Sequence, residues 1–386
     1  MPISFIKTEK QERIYMLASK LADKFNERAE EYDETGEFPL LNIEELRNTG
    51  YTSLSVPKEY GGKEGLSLYD FVLLQERLAV GDGSTALSIG WHLGATMDLF
   101  DKKRWTEEKR SFYAKEVLQG ALYNRAATEP QTGSPTRGGK PQTTARKEGD
   151  KWVLSGRKSF TTMSPVLDYF GVIASIEGTD QIGEFLVERS KSGVAIEETW
   201  NTISMRGTGS HDLVLTNVEL DEDDLVEMVT PEQKAIPNGW LLHIPACYMG
   251  IAIAARNYAV KFANEYSPNS LNGPIKTIPN VRRNVGEMEA ELLKARHILY
   301  AIADKWDRTA DRSQLGPELG LAKYIATNSA ISVVDKAMRI VGAKSLQKSN
   351  PLQRYYRDVR AGLHNPPMDD MTIAKLADEA FKEMEK

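Results

Sequence analysis

The hydrophobic pattern of this chain changes period twice, and that constrains the fold more than any other feature. Up to about residue 120, apolar residues recur at helical spacing. Ile14, Leu17, Leu21 and Phe25 fall three and four apart, a stripe along one face of a helix. "FPLLNIEELRNTG" reads as a short helix stopped by Gly50, and "VPKEYGGKEG" as a loop broken by Pro57 and paired glycines. "SLYDFVLLQERLAV" and "STALSIGWHLGATMDLF" return to helix. From about 121 to 225 the period becomes that of strands and turns. "TTARKEGDKWVLSG" reads as a hairpin turning at Glu148-Gly149-Asp150, with Trp152 and Leu154 on one face. "YFGVIASI", "GEFLVER" and "HDLVLTNVEL" are further strands, rich in the residue types that suit a pleated surface. Beyond about 235, three long periodic runs follow, and they suit a helical bundle.

This order predicts an α+β chain, mostly α. It has an N-terminal helical domain (1–120), a central small β-barrel or sandwich (121–232) and a C-terminal four-helix bundle (233–386). The 386 residues suffice for two or three packed units at roughly 100–200 residues each. No internal repeat or low-complexity segment interrupts them.

Charge and cysteine usage narrow the function classes. The formal net charge is −6, without long blocks of one sign, whereas a nucleic-acid surface shows a basic excess; no nucleic-acid partner is expected. Cys247 is the one cysteine, so no disulfide forms within the chain, which fits a reducing compartment. The first twenty residues lack the apolar core and cleavage site of a secretory signal. The longest apolar stretch, Trp240 to Ala255, contains His243 and Pro245 and is too short to cross a bilayer. A cytoplasmic location and no membrane partner are expected. His211, His243 and His297 show no metal-ligand spacing, and no metal is assigned.

"RAATEPQTGSPTRGG", Arg125 to Gly139, lies where helix gives way to strand. It offers backbone amides, the hydroxyls of Thr128 and Ser134, and Gly133 for close backbone approach. A flat heteroaromatic ring with carbonyl and nitrogen edges wants such a wall. A plain Gly/Pro loop has the same residue types.

The order of residues adds to this. "TEPQTGS", together with "SVPKEYGG", "GRKSFTT" and "QRYYRDVR", resembles the acyl-CoA dehydrogenase superfamily of flavoproteins. The four signatures span most of the chain, and the helix–barrel–helix order matches that family's three-domain fold. The resemblance implies FAD, or FMN, as cofactor, and a homotetramer or homodimer with flavins across subunit boundaries. It implies a small-molecule substrate, an acyl-CoA by family habit, and an electron-transfer flavoprotein or flavin reductase as redox partner.

Residue by residue, the resemblance places Arg125, Ala127 and Thr128 at the flavin, the last two on its pyrimidine edge. Gly133 and Ser134 would lie near the phosphates or the thioester arm, Phe160 over the ring face, and Thr162 near N5. Arg357 and Asp358 would form a structural ion pair. Two departures bear on flavin retention. Asn269 and Asn272 stand where the family has an arginine and a phenylalanine that clamp the pyrophosphate, and a glutamine with paired glycines becomes Arg339, Gly342 and Ala343. Arg339 is the candidate to restore the lost charge.

A third departure bears on the reaction. The family removes the substrate α-proton with a carboxylate as the β-hydrogen leaves as hydride. Counted from Arg357-Asp358, that carboxylate's position holds Pro366, and the alternative position on an earlier helix falls near Trp240. What remains in "LHNPPMDD" is His364, Asp369 and Asp370. This ending, with "MRGTGSHD", resembles the flavin-dependent monooxygenases of the same fold, where a histidine here and another on the first domain's helix line the oxygen-reacting cavity. His92 is the candidate for the second. Imidazole can donate or accept a proton near neutral pH.

Two readings of the reaction follow. One is CH–CH dehydrogenation of an acyl-CoA-like substrate with a displaced base, Asp370 or His364. The other is a two-component monooxygenase using reduced flavin and oxygen, with His92, Thr162 and His364 about the reacting centre. A non-catalytic flavin-binding protein is a third. Plainer roles stand beside these: a core histidine for His92, a helix C-terminal histidine for His364, helix-starting residues for Asp369 and Asp370. "ELDEDDLVE" reads as a solvated connection between domains.

Overall fold

In the computed structural model, which describes residues 4–132, 139–230 and 236–385, the three segments fold as helices, sheet and helices. The N-terminal domain holds α1 (Glu9–Thr35), α2 (Leu40–Asn48), α3 (Leu68–Ala79), α4 (Gly83–Asp101) and α5 (Glu107–Leu118). Thr8 starts α1 by accepting the N–H of Gln11, and Gly36 ends it in the left-handed region at φ 75°. The expected stripe is buried at Ile14, Leu21 and Phe25, with Leu17 at its margin. Ser67 and Asp70 form a reciprocal capping box on α3.

The central domain is one curled sheet of β1 (Tyr123–Ala126), β2 (Thr144–Glu148), β3 (Lys151–Lys158), β4 (Tyr169–Ile176), β5 (Ile182–Glu188), β6 (Val194–Glu197), β7 (Asp212–Asp221) and β8 (Leu225–Met228). The order is β6-β7-β3-β2-β4-β5-β8, with β1 beside β4. The β2–β3 hairpin pairs Ala145 with Leu154 and turns between Glu148 and Lys151, where Gly149 has φ 62°. The hydrogen-bonded path ends at β6 and β8, so the barrel closes by curling and side-chain packing rather than by a ring of bonds. Trp152 on β3 and Phe185 on β5 show the curl: three strands apart, they meet edge to face at 5.4 Å, where a flat sheet would hold them roughly 14 Å apart. "ELDEDDLVE" is not a solvated connection. It ends β7, turns, and supplies β8, which pairs with β5.

The C-terminal domain holds α6 (His243–Glu265), α7 (Pro279–Arg308), α8 (Gly316–Val341), α9 (Pro351–Ala361) and α10 (Asp369–Met384). α6 packs against α7, α8 and α9, and on its other side against α3 and α4, so bundle and N-terminal domain share a core. Gly250 makes that approach feasible, because a Cβ there would lie 2.3 Å from the carbonyl oxygen of Glu76 on α3. Asn350 caps α9 by accepting the N–H of Leu352. The break at "LHNPPMDD" is a turn leaving α9, with a cis peptide between Pro366 and Pro367, and α10 begins at Asp369. No helix among the described residues is long and apolar enough to cross a membrane. The expected boundary at 232/233 lies outside the described residues.

Candidate functional site

The loop that leaves β1 is held from beneath by a buried ion pair. Glu129 and Lys158 are both buried, with Nζ 2.7 Å from Oε1. Glu129 also accepts the N–H groups of Gln142 (2.6 Å) and Thr143 (2.9 Å), and Lys158 donates to the carbonyl of Ile173 (2.5 Å). Burial pushes against ionisation of Glu129, but the bonds from Lys158 and the Thr143 and Gln142 amides outweigh it and hold its carboxyl at about 2. Composition gave no reason to single out Glu129. The signal available was an acidic residue, rarely buried without a partner, inside a Gly/Pro loop.

This anchor positions Ala127 and Thr128, both half-buried. The N–H of Ser159 donates to the carbonyl of Thr128 at 2.9 Å, which joins the loop to the end of β3. Next along the chain is Phe160, a non-glycine residue at φ 56° whose side chain is 63% exposed. That backbone region costs roughly 1–2 kcal/mol for an L-residue, and the bonds from Thr162 N–H to Phe160 and from Thr161 N–H to His211 hold it. The ring meets the edge of Trp200, at 6.0 Å and 80°. On either side, Ser159 Oγ and Thr161 Oγ1 are buried without a hydrogen-bond partner among the described residues.

Thr162 begins a run of hydroxyls. Its Oγ1 lies 2.9 Å from Ser210 Oγ, which lies 2.9 Å from Thr208 Oγ1, and Thr208 donates to the carbonyl of Met205 at 3.0 Å. Asn124 Nδ2 donates to the carbonyl of Thr162 at 3.1 Å, so the β1 loop and the Phe160 turn are one unit. Strained backbone, an exposed ring, orphaned hydroxyls and a hydroxyl chain at one lip of the sheet fit a flat ring with polar edges.

Arg125 does not present its guanidinium to this lip. It is enclosed with Asp98 (3.1 Å) and Glu184 (3.1 Å), in a cluster completed by Lys102, Arg104 and Glu227. Tyr123 Oη donates to Glu184 at 2.8 Å. The three carboxylates and three cations join α4 to β1, β5 and β8 and neutralise one another, which a buried charge requires.

His92 is also used within the core. It is fully buried. Nδ1 accepts the N–H of Tyr123 at 3.1 Å, and Nε2 lies 3.0 Å from the carbonyl of Thr52, so the neutral tautomer carries its proton on Nε2. Burial pulls its pKa down to about 4. Both ring nitrogens are spent on backbone, and the expectation of a cavity-lining histidine gives way to a core one.

Arg357 and Asp358 do not pair with each other. Arg357 forms a two-point contact with Asp33 of α1 and donates to the carbonyl of Ile203 at 2.6 Å. Asp358 accepts the N–H of Met205 at 2.7 Å, and burial pushes its carboxyl up to about 7. The two residues thus tie α9 to α1 and to the Ile203–Met205 turn of the sheet domain.

His364 is exposed in the turn after α9, and no hydrogen bond from its imidazole is seen among the described residues. Its neighbour Asn365 accepts from Tyr248 Oη at 2.5 Å. Asp369 and Asp370 form the first turn of α10. Asp369 is engaged by Lys323 (3.1 Å) and Asn328 (2.9 Å), and Asp370 is exposed. Arg339 pairs with Asp335 on the surface of α8 at 2.7 Å, and Gly342 ends that helix at φ 70°. Asn269 and Asn272 are exposed between α6 and α7. Gly133 and Ser134 lie outside the described residues. No cluster of His, Cys, Asp and Glu suited to a metal occurs among the described residues.

The three-layer arrangement is that of known flavin and acyl-CoA enzymes. Butyryl-CoA dehydrogenase from Megasphaera elsdenii superposes with a TM-score of 0.89 at 21% identity, over 98% of this chain and all of that one. A nitrososynthase from Micromonospora carbonacea gives 0.84 at 25%, over 97% of both chains. TdsC from Paenibacillus, solved with FMN bound, gives 0.86 at 22%, over 96% and 98%. Family models for the N-terminal, middle and C-terminal domains of acyl-CoA dehydrogenase match residues 8–121, 124–218 and 242–365. The chain belongs to the acyl-CoA dehydrogenase family. It is 58% identical to the putative acyl-CoA dehydrogenase YdbM of Bacillus subtilis, over 98% of this chain and 99% of that one. It is 32% identical to the 3-(aryl)acrylate reductase of Clostridium sporogenes, over 92% and 93%.

Proposed function

We propose that this chain is a flavin-dependent monooxygenase that receives reduced flavin, FMN or FAD, from a separate reductase. One observation carries the reading: the turn that follows α9 offers an exposed imidazole, and of the acidic residues flanking it Asp370 is exposed at the start of α10 while the others are engaged. Position 366 is proline, Asp358 is buried against the Met205 amide, and Asp369 is held by Lys323. At the head of α6 stand Trp240 and His243, which are not carboxylates either.

Bound flavin supplies two-electron redox chemistry and, when reduced, reactivity toward oxygen. The chain's residues do the rest. Thr128 and Ala127 would hold the polar edge of the ring, Phe160 would cover one face, and Thr162, backed by Ser210 and Thr208, would orient a hydrogen bond at the opposite edge. His364 would donate or accept the proton the reaction moves. Assembly as a homodimer or homotetramer belongs to the same reading, with Arg339 and Gly342 near a neighbouring subunit's cofactor.

The second reading, dehydrogenation of an acyl-CoA with electrons passing to an electron-transfer flavoprotein, is favoured by the similarity to the Bacillus subtilis protein. One experiment separates the two. Flavin-loaded protein is mixed anaerobically with a panel of acyl-CoA thioesters while flavin absorbance is followed, and reduced protein is then mixed with oxygen. The monooxygenase reading expects no bleaching by thioesters and a transient absorbance with oxygen that His364→Ala shortens several-fold. Rapid bleaching by a thioester would overturn it.

A further inference from the structure

A cavity of about 410 Å³ lies where α1 and the turn after α3 meet α6 and the start of α9. None of Thr128, Phe160, Thr162, Trp240 and His364 lines it. Its one buried cation is Arg354, which is 6% exposed and forms no ion pair among the described residues. An arginine is seldom buried without a partner. The guanidinium lies 5.2 Å from the centre of the Tyr355 ring, which also lines the cavity. Burial opposes its charge; Tyr355 and, at longer range, the carboxylates of Asp82, Asp358 and Asp33 outweigh that. Those three carboxylates are used elsewhere. Asp82 caps α4 through the N–H groups of Ser84 (3.3 Å) and Thr85 (2.9 Å), Asp358 accepts the Met205 amide, and Asp33 holds Arg357.

The rim adds charge of the same sign. Lys261 and Lys348 line the cavity, are exposed, and form no ion pair among the described residues. Arg77 lines it too, but Asp23 matches that charge at 2.8 Å. Glu30 is the remaining lining carboxylate, so three cations outweigh it. A planar guanidinium can give parallel N–H bonds to two oxygens of a phosphate, and two ammonium groups complete the charge of a dianion. Asn26 and Asn257 bring amides to the same walls, which suit hydroxyl groups.

We infer that this cavity binds the phosphate of a small, hydroxyl-bearing phosphomonoester of the sugar-phosphate class. The phosphate meets Arg354 at the floor and Lys261 and Lys348 at the mouth, and the body lies toward Asn26 and Asn257. The inference goes beyond the proposed function and does not require it.

The test titrates the full, flavin-loaded protein by calorimetry in phosphate-free buffer with glucose 6-phosphate, glucose and inorganic phosphate. Glucose 6-phosphate should bind saturably and more tightly than inorganic phosphate, glucose should not bind, and the flavin should stay bound throughout. Arg354→Met should weaken the ester at least tenfold. Because Arg354 is buried, the exposed rim supplies independent variants. Lys261→Ala with Lys348→Ala should weaken the ester at least tenfold, and Glu30→Gln should tighten it several-fold. The proposal is overturned by absent or glucose-like binding of the ester, by release of flavin during the titration, or by unchanged affinity in the lysine double variant. Inorganic phosphate binding as tightly as the ester would leave a site for the free ion only and overturn it equally.

Discussion

Lys158 Nζ lies 2.7 Å from Glu129 Oε1 beneath the Thr128 loop, and neither residue reaches solvent. The pair, with the Gln142 and Thr143 amides, fixes the loop from the inside. Lys158→Met should therefore cost about 3–5 kcal/mol, because it strands a buried carboxylate, and the double change with Glu129→Leu should cost less. Urea unfolding checks both. Glu129 titrates at about 2 in the fold, below its unfolded value. Its contribution is present above about pH 4.5 and disappears as pH falls toward 2. In Glu129→Gln the acid limb of the stability curve should flatten over that window.

His92 is a structural residue by its geometry. His92→Ala leaves the Tyr123 N–H and the Thr52 carbonyl buried and unpaired, at about 1–3 kcal/mol each. The variant should lose stability in denaturant titrations. Protein that does fold should keep its turnover, and a catalytic defect without a stability defect would refute this placement.

Asp358 sets a pH dependence of opposite sense. Its carboxyl titrates at about 7 in the fold and near 3.8 when unfolded. The unfolded chain therefore releases this proton first, and the contribution of Asp358 to stability falls as pH rises from about 4 to about 7. Asp358→Asn should remove that decline while leaving an acceptor for the Met205 amide. Thermal melts across that range decide the matter.

Phe160 stands at φ 56° with its ring largely exposed. Phe160→Gly trades relief of the backbone against greater chain freedom, so the apoprotein should change by less than about 1 kcal/mol. Flavin affinity should fall at least tenfold if the ring covers the cofactor. Equilibrium dialysis against FMN and FAD, beside a urea titration, reads the two effects separately.

Much of the fold was legible because helical periodicity is local. The stripe Ile14, Leu21, Phe25 and the terminator Gly342 are features of neighbouring residues, and both appear as read. β8 was missed because its acidic residues look solvated; the pairing with β5 and the ion pair of Glu227 with Arg104 supply what the local pattern lacks. Thr128, Phe160 and Thr162 are joined by backbone bonds, Ser159 N–H to the carbonyl of Thr128 and Thr162 N–H to that of Phe160, and each lies within a short run that carries its own turn geometry. Arg125, His92 and the Arg357–Asp358 pair were read differently from what the structure shows, and for one reason. A charged or polar side chain takes its role from whatever faces it.

By itself the sequence determined the three-part order of elements and the family, because these depend on residue types and on spacing along one chain. Only the tertiary structure decided which charges are spent. Arg125 meets Glu184 across 59 residues, Glu129 meets Lys158 across 29, and Met205 meets Asp358 across 153. Burial makes such meetings obligatory, since an ion or amide cut off from water must find a partner, and the chain's path through space selects which one.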